Sequence, residues 1–160
     1  MSFLKNKKKR NYFALSAYIF IFLIVLIGAK YFIQKQKLKN ILKITSTVQV
    51  GRVKYKVFVA KTLGEKKQGL MNVPQMPRNY GMLFVFHKKV DYPFWMKNTL
   101  MPLTVLFIYK DRVINQINMK PCKTPKCKFY EPFVYYKYAL EIEQNGRNLI
   151  GKKVKIGGLS

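Results

Sequence analysis

Eighteen consecutive uncharged residues, Tyr12 to Ala29, follow closely on a cluster of five cations, Lys5, Lys7, Lys8, Lys9 and Arg10. So long an apolar run at the start of a chain does not suit the core of a small soluble fold, and it divides the molecule before any other feature is considered. As an α-helix rising ~1.5 Å per residue it spans ~27 Å, close to the ~30 Å hydrocarbon thickness of a bilayer. Tyr31, Phe32 and Ile33 prolong the apolar surface past Lys30, whose stem can carry its ammonium to the interface, while Tyr12, Tyr18 and Tyr31 offer aromatic anchors. A cleaved signal peptide is the alternative, but the small-x-small site it requires is poorly served by Ile27-Gly28-Ala29. The expected organisation is a basic tail over residues 1–11, a transmembrane anchor over 12–33, a stalk rich in Lys and Gln over 34–43, and a folded domain over 44–160. Five cations on the far side (Lys30, Lys35, Lys37, Lys39, Lys43) match the five on the near side, so loop charge does not orient the anchor. A short basic tail at the N-terminus normally stays cytoplasmic. This places the domain outside the inner membrane, in the periplasm or at the cell exterior.

Within residues 44–160 the signals are those of short strands. Val53 to Val59 alternates with a period of two, and Gly51-Arg52 can turn it back on Ile44 to Val50 as a hairpin. Thr62-Leu63-Gly64-Glu65 has capping-box spacing, which predicts a short helix from Leu63 to Gln68, stopped at Gly69. Pro74 and Pro77 make residues 71–80 a loop. Further strands are expected at Met82 to Phe86, Thr104 to Tyr109, Arg112 to Met119, Tyr135 to Ile142 and Val154 to Ile156, with a short extended piece at Phe94 to Met96. Pro121 to Pro132 holds three prolines and both cysteines and reads as loop. The fold class is therefore mainly β: a small closed or half-closed barrel with one short helix, preceded by a single transmembrane helix.

Several chemistries are disfavoured by composition. The only serines are Ser2, Ser16, Ser46 and Ser160, none in a Gly-x-Ser-x-Gly turn, and the sole histidine, His87, ends a strand. One histidine and two cysteines do not make a closed zinc site, no glycine loop cradles phosphate, and no metal or cofactor is expected. The net charge is +25, from 31 Lys and Arg against 6 Asp and Glu. Only five of those cations are arginine, the residue suited to forked phosphate and base contacts, and no nucleic-acid module is visible, so nucleic acid is not the expected partner. The expected partners are the bilayer and a small ligand or a protein. Cys122 and Cys127 are close enough to close a small disulfide ring in an oxidising compartment, whereas redox chemistry would favour Cys-x-x-Cys spacing; metal binding is the remaining reading.

The densest pattern is Gly81-Met-Leu-Phe-Val-Phe followed, after a polar spacer, by Phe94-Trp-Met-Lys-Asn-Thr-Leu-Met-Pro102, with Gly69-Leu70-Met71 upstream. These blocks resemble the bacterial and archaeal family called domain of unknown function 192, marked by Gly-Leu-Met, Gly-Met-Leu-Phe and Trp-Met-Lys-Asn-Thr. Pro121-Cys122, the second cysteine, Tyr130 and Leu140-Glu141 fit the same pattern. The resemblance spans roughly residues 53 to 157 and implies fold and motif positions, with no activity to carry over. It also implies acidic residues where this chain has Thr104 and Tyr109, so any activity resting on them would be missing here. Read as residues, Trp95 offers a flat apolar face, Lys97 a cation, and Asn98 with Thr99 donors and acceptors, a set able to hold a small polar or anionic ligand. The competing reading makes this block a turn whose Trp95 and Met96 plug the barrel. Glu141 joins the ligand set, with Glu143 two residues on as its potential carboxylate partner. The expected function is a ligand-binding or protein-interaction module; the alternative is a small enzyme using Lys97, Asn98 or Glu141.

Overall fold

The computed structural model describes residues 18–33 and 44–159. Its chain divides into two units, 1–40 and 41–160. In the first, residues 18–33 are helical and their large apolar side chains are exposed. Among the described residues no helix is long and apolar enough to cross a membrane. The basic tail, the first part of the expected anchor (12–17) and the stalk (34–43) lie outside the described residues.

The second unit is mainly β. Its strands are β1 (Ile44–Val50), β2 (Val53–Ala60), β3 (Tyr80–Val90), β4 (Phe94–Trp95), β5 (Leu103–Tyr109), β6 (Arg112–Met119), β7 (Phe129–Tyr130), β8 (Tyr136–Glu143) and β9 (Val154–Gly157), with one short helix, α1 (Leu63–Gln68). Seven strands form a sheet in the order β6-β5-β8-β3-β2-β1-β9, while β4 and β7 pair separately. Within the sheet only β2 and β3 run parallel, joined by the segment carrying α1. The sheet curls into a half-barrel whose edge strands meet at one end. There the Val113 amide donates to the Lys152 carbonyl (3.1 Å), Gly151 to Val113 (2.8 Å) and Val154 to Asp111 (2.6 Å).

Both faces of the central strands are covered, which is why their sequences run apolar without alternation. The concave face holds Val48, Tyr55, Val57, Leu83, Leu106, Ile108, Leu140 and Ile142. On the opposite face Phe94 packs edge-on to Phe84 (5.2 Å between ring centres) and Phe107 (5.7 Å), and Tyr136 lies 4.8 Å from Phe107. Gly81 sits where β3 meets β8 most closely, since a Cβ there would stand 2.5 Å from the Glu141 carbonyl oxygen. α1 and β1 have the bounds expected from the sequence, and most other strands lie within a residue of theirs. The larger differences are that β3 runs from Tyr80 to Val90, well beyond Phe86, and that the segment read as plain loop contains β7. Two residues carry no readable strand period, and β7 exists only because β4 lies beside it.

Candidate functional site

The outer face of the half-barrel carries a groove of about 450 Å³. One wall is α1. The capping box starts it: Thr62 Oγ1 accepts from the Glu65 amide (3.2 Å), and Glu65 Oε2 accepts from the Thr62 and Lys61 amides (both 2.8 Å). Those bonds favour the charged carboxylate and hold its pKa below the ordinary value, the Thr62 amide contributing most. α1 buries none of its residues and presents Leu63, Lys66 and Lys67 to the groove. Lys66 Nζ donates to the Lys61 carbonyl (2.7 Å) and lies 4.8 Å from the centre of the Phe86 ring; partial burial lowers its pKa.

The other wall is aromatic. Trp95 on β4 stacks on Phe129 of β7, with ring centres 6.0 Å apart and planes within 6°. Phe84, Phe94 and Tyr136 form the floor, and Tyr136 is fixed by donating from its hydroxyl to the Tyr92 carbonyl (2.7 Å). The block from Trp95 to Thr99 is held by backbone bonds: Asn98 N to Cys122 O (2.8 Å), Cys122 N to Met96 O (3.2 Å) and Asn72 N to Asn98 O (2.9 Å). Asn98 makes the turn at φ +54°, a left-handed conformation that asparagine tolerates better than most residues. Cys122 and Cys127 are joined as a disulfide, Cα atoms 5.9 Å apart, closing the loop that supports this block.

Beside the groove lies a small compartment of about 30 Å³, which shares Lys66, Lys67, Phe84, Phe94 and Trp95 with it and adds Thr99, Glu141 and residues 68–71. Glu141 stands on β8 between Met82 of β3 and Val105 of β5 and is only 4% exposed. Among the described residues no hydrogen bond and no ion pair reaches its carboxyl. Burial alone pushes its pKa up to about 8, so it is mostly protonated at neutral pH.

Of the five residues expected to bind ligand, the fold brings Trp95, Thr99 and Glu141 together in the lining of this compartment. Lys97 and Asn98 line neither compartment: the Lys97 ammonium lies 5.4 Å from the centre of the Trp95 ring, and Asn98 serves the turn. Trp95 is 38% exposed and does not plug the barrel; Met96, 1% exposed, is the buried member of the pair. Glu143 lines a different pocket, with Tyr55 and Arg147, so the two glutamates form no carboxylate pair in the groove. Thr104 donates to Asn118 Oδ1 (2.7 Å), and the ring of Tyr109 lies beneath Lys89 and Lys110. Neither position touches the cavity, so acidic residues placed there would not act in it. Sequence reasoning missed the groove walls, Leu63, Lys66, Lys67 and Phe129 among them. Their one signal was apolar residues standing in loops and on a helix that needs none for its core.

The family DUF192, described as uncharacterized ACR, matches residues 44–155. The chain belongs to this family. No curated protein matches it. A crystal structure of a proposed transcription regulator from Sinorhizobium meliloti 1021 superposes with a TM-score of 0.63 at 26% identity, covering 71% of this chain and 95% of that one. A protein of unknown function from Novosphingobium aromaticivorans DSM 12444 gives 0.61 at 28% identity, covering 68% and 83%. The DUF192 domain is thus a half-barrel of defined shape whose biochemical function the relatives leave open.

Proposed function

We propose that this DUF192 protein is a small-ligand-binding module, tethered to the inner membrane by residues 12–33 with its domain outside. The observation that carries the binding reading is the aromatic groove with, beside it and sharing five lining residues, a compartment lined by a buried carboxyl that no described residue bonds. Cavities of this size with apolar walls and few polar groups suit small molecules, and a buried polar group without a protein partner costs stability unless something else meets it. The tether rests on the basic cluster and uncharged run of the N-terminus. The Cys122–Cys127 disulfide supports an oxidising compartment.

A neutral fluorescent probe such as N-phenyl-1-naphthylamine tests the groove, because Trp95, the sole tryptophan, forms part of its wall and reports occupancy by energy transfer. Saturable binding that quenches Trp95 is expected, lost in Leu63→Lys and Phe129→Ser, both changes at exposed positions outside the buried core. Binding unaffected by either change would sink the reading.

Catalysis is the second reading, favoured by the raised pKa of Glu141, a property general acids share. It ranks below binding because, among the described residues, neither compartment holds a second carboxylate, a histidine or a serine. Nucleic-acid binding, suggested by the name of the Sinorhizobium neighbour, ranks lower still: the main concavity is apolar, and only five of the 31 cations are arginine.

A further inference from the structure

We propose that the ligand is an amphipathic monocarboxylate whose apolar body lies along the aromatic groove and whose carboxylate enters the small compartment beside it to meet Thr99 and Glu141. This rests on the ligand-binding reading above and adds the chemistry of the head group.

Three observations point the same way. The first is the supply of donors. Thr99 and Glu141 are both buried and both line the compartment, and neither side chain has a hydrogen-bond partner among the described residues. With Glu141 neutral at pH 7 both can donate, and a carboxylate is an acceptor with two oxygens to satisfy.

The second is charge. Among the described residues, Lys66 and Lys67 of α1 are the other titratable groups lining the compartment; β3 and β5 contribute the apolar Met82 and Val105 beside Glu141. An ammonium head would have to ionise Glu141 and sit beside two lysines. An anionic head is drawn by those lysines and leaves the Glu141 proton in place as a bridge.

The third is size. At about 30 Å³ the compartment is far smaller than the groove of about 450 Å³, so it suits a compact head group and leaves the apolar body in the groove. A planar carboxylate is the most compact of the common anionic heads.

The test uses the full-length chain in phosphatidylcholine vesicles, which add no tryptophan, with Trp95 emission as the signal and octanoate, octanol, octylammonium and octyl sulfate as ligands at pH 6.5. Octanoate is expected to bind at least about tenfold tighter than the other three, the margin of one charge-assisted hydrogen bond. Raising the pH through about 8 ionises Glu141 and repels the carboxylate, so octanoate affinity falls while octanol affinity does not. Glu141→Gln keeps a donor and should bind octanoate with a flat pH profile. Thr99→Val should weaken octanoate alone. Equal affinity for all four, a preference for octylammonium, or octyl sulfate binding as tightly as octanoate would overturn the head-group assignment while leaving the groove intact. No saturable response even to octanol would overturn the groove reading itself.

Discussion

Glu141 shows how much a single side chain depends on its surroundings. In an unfolded chain its carboxyl titrates near the ordinary value for glutamate; in the fold, burial raises this to about 8. A carboxyl whose folded pKa is raised contributes stability fully present below the unfolded pKa and lost as pH rises through the folded one. Between roughly pH 4.5 and 8 the protein should therefore lose stability on Glu141's account, by on the order of 3 kcal/mol at pH 7. Glu141→Gln, which cannot ionise, should melt higher than the parent at pH 7 and lose most of that advantage at pH 4.5. Thermal melts of both proteins across this range decide it, and parallel melting curves would contradict the assignment. Trp95 and Lys97 make the complementary point. Two residues apart in one motif, they differ in what they line, because the stack on Phe129 keeps the indole at the groove while Lys97 lies over its ring.

At the scale of elements, the loop that carries β7 is the least self-sufficient part of the site. β4 and β7 are two residues each and contribute little pairing of their own, so their placement relies on the backbone bonds around Cys122 and on the disulfide. Closing so short a loop is worth about 2 kcal/mol by the chain-entropy account. Replacing both cysteines by serine should lower stability by about that amount in urea unfolding, and should shift Trp95 emission and weaken the naphthylamine probe as Phe129 loses its fixed position. If stability fell and probe binding did not, the loop would be a brace alone, with no part in shaping the groove. α1 is the opposite case. Its capping box was legible from four residues because the bonds that start a helix are local. What α1 does was not legible, since no residue of its own is buried and its value lies in the wall it makes for the groove.

For the whole molecule, the sheet is covered on both sides: the cluster around Val57, Leu83 and Leu140 fills one face, and Phe84, Phe94, Phe107 and Tyr136 pack on the other. The outer face is where segments distant in sequence converge: residues 63–71, 84–86, 92–99, 129 and 136–141. The net charge of +25 makes an anionic neighbour favourable without specifying it. The proposed tether predicts that the full-length chain stays with membranes after alkaline carbonate extraction, at a mass that includes its N-terminus. Release into the soluble fraction, or a mass lacking the residues up to Ala29, would remove the anchor from the proposal.

The sequence by itself determined what local chemistry decides. The β1–β2 turn at Gly51, the capping box at Thr62, the β character of the domain and the motif blocks at Gly69, Gly81 and Trp95 could all be read there, because each rests on neighbours within a few positions. It also placed Trp95, Thr99 and Glu141 among the candidates. Only the tertiary structure decided that these three share a cavity while Lys97, Asn98 and Glu143 do not, since that depends on which side of a curled sheet each residue faces and on which distant segment covers it. The same holds for the groove. It is lined from α1, β3, β4, β7 and β8, and neither hydrophobic period nor spacing carries the information that five such pieces meet.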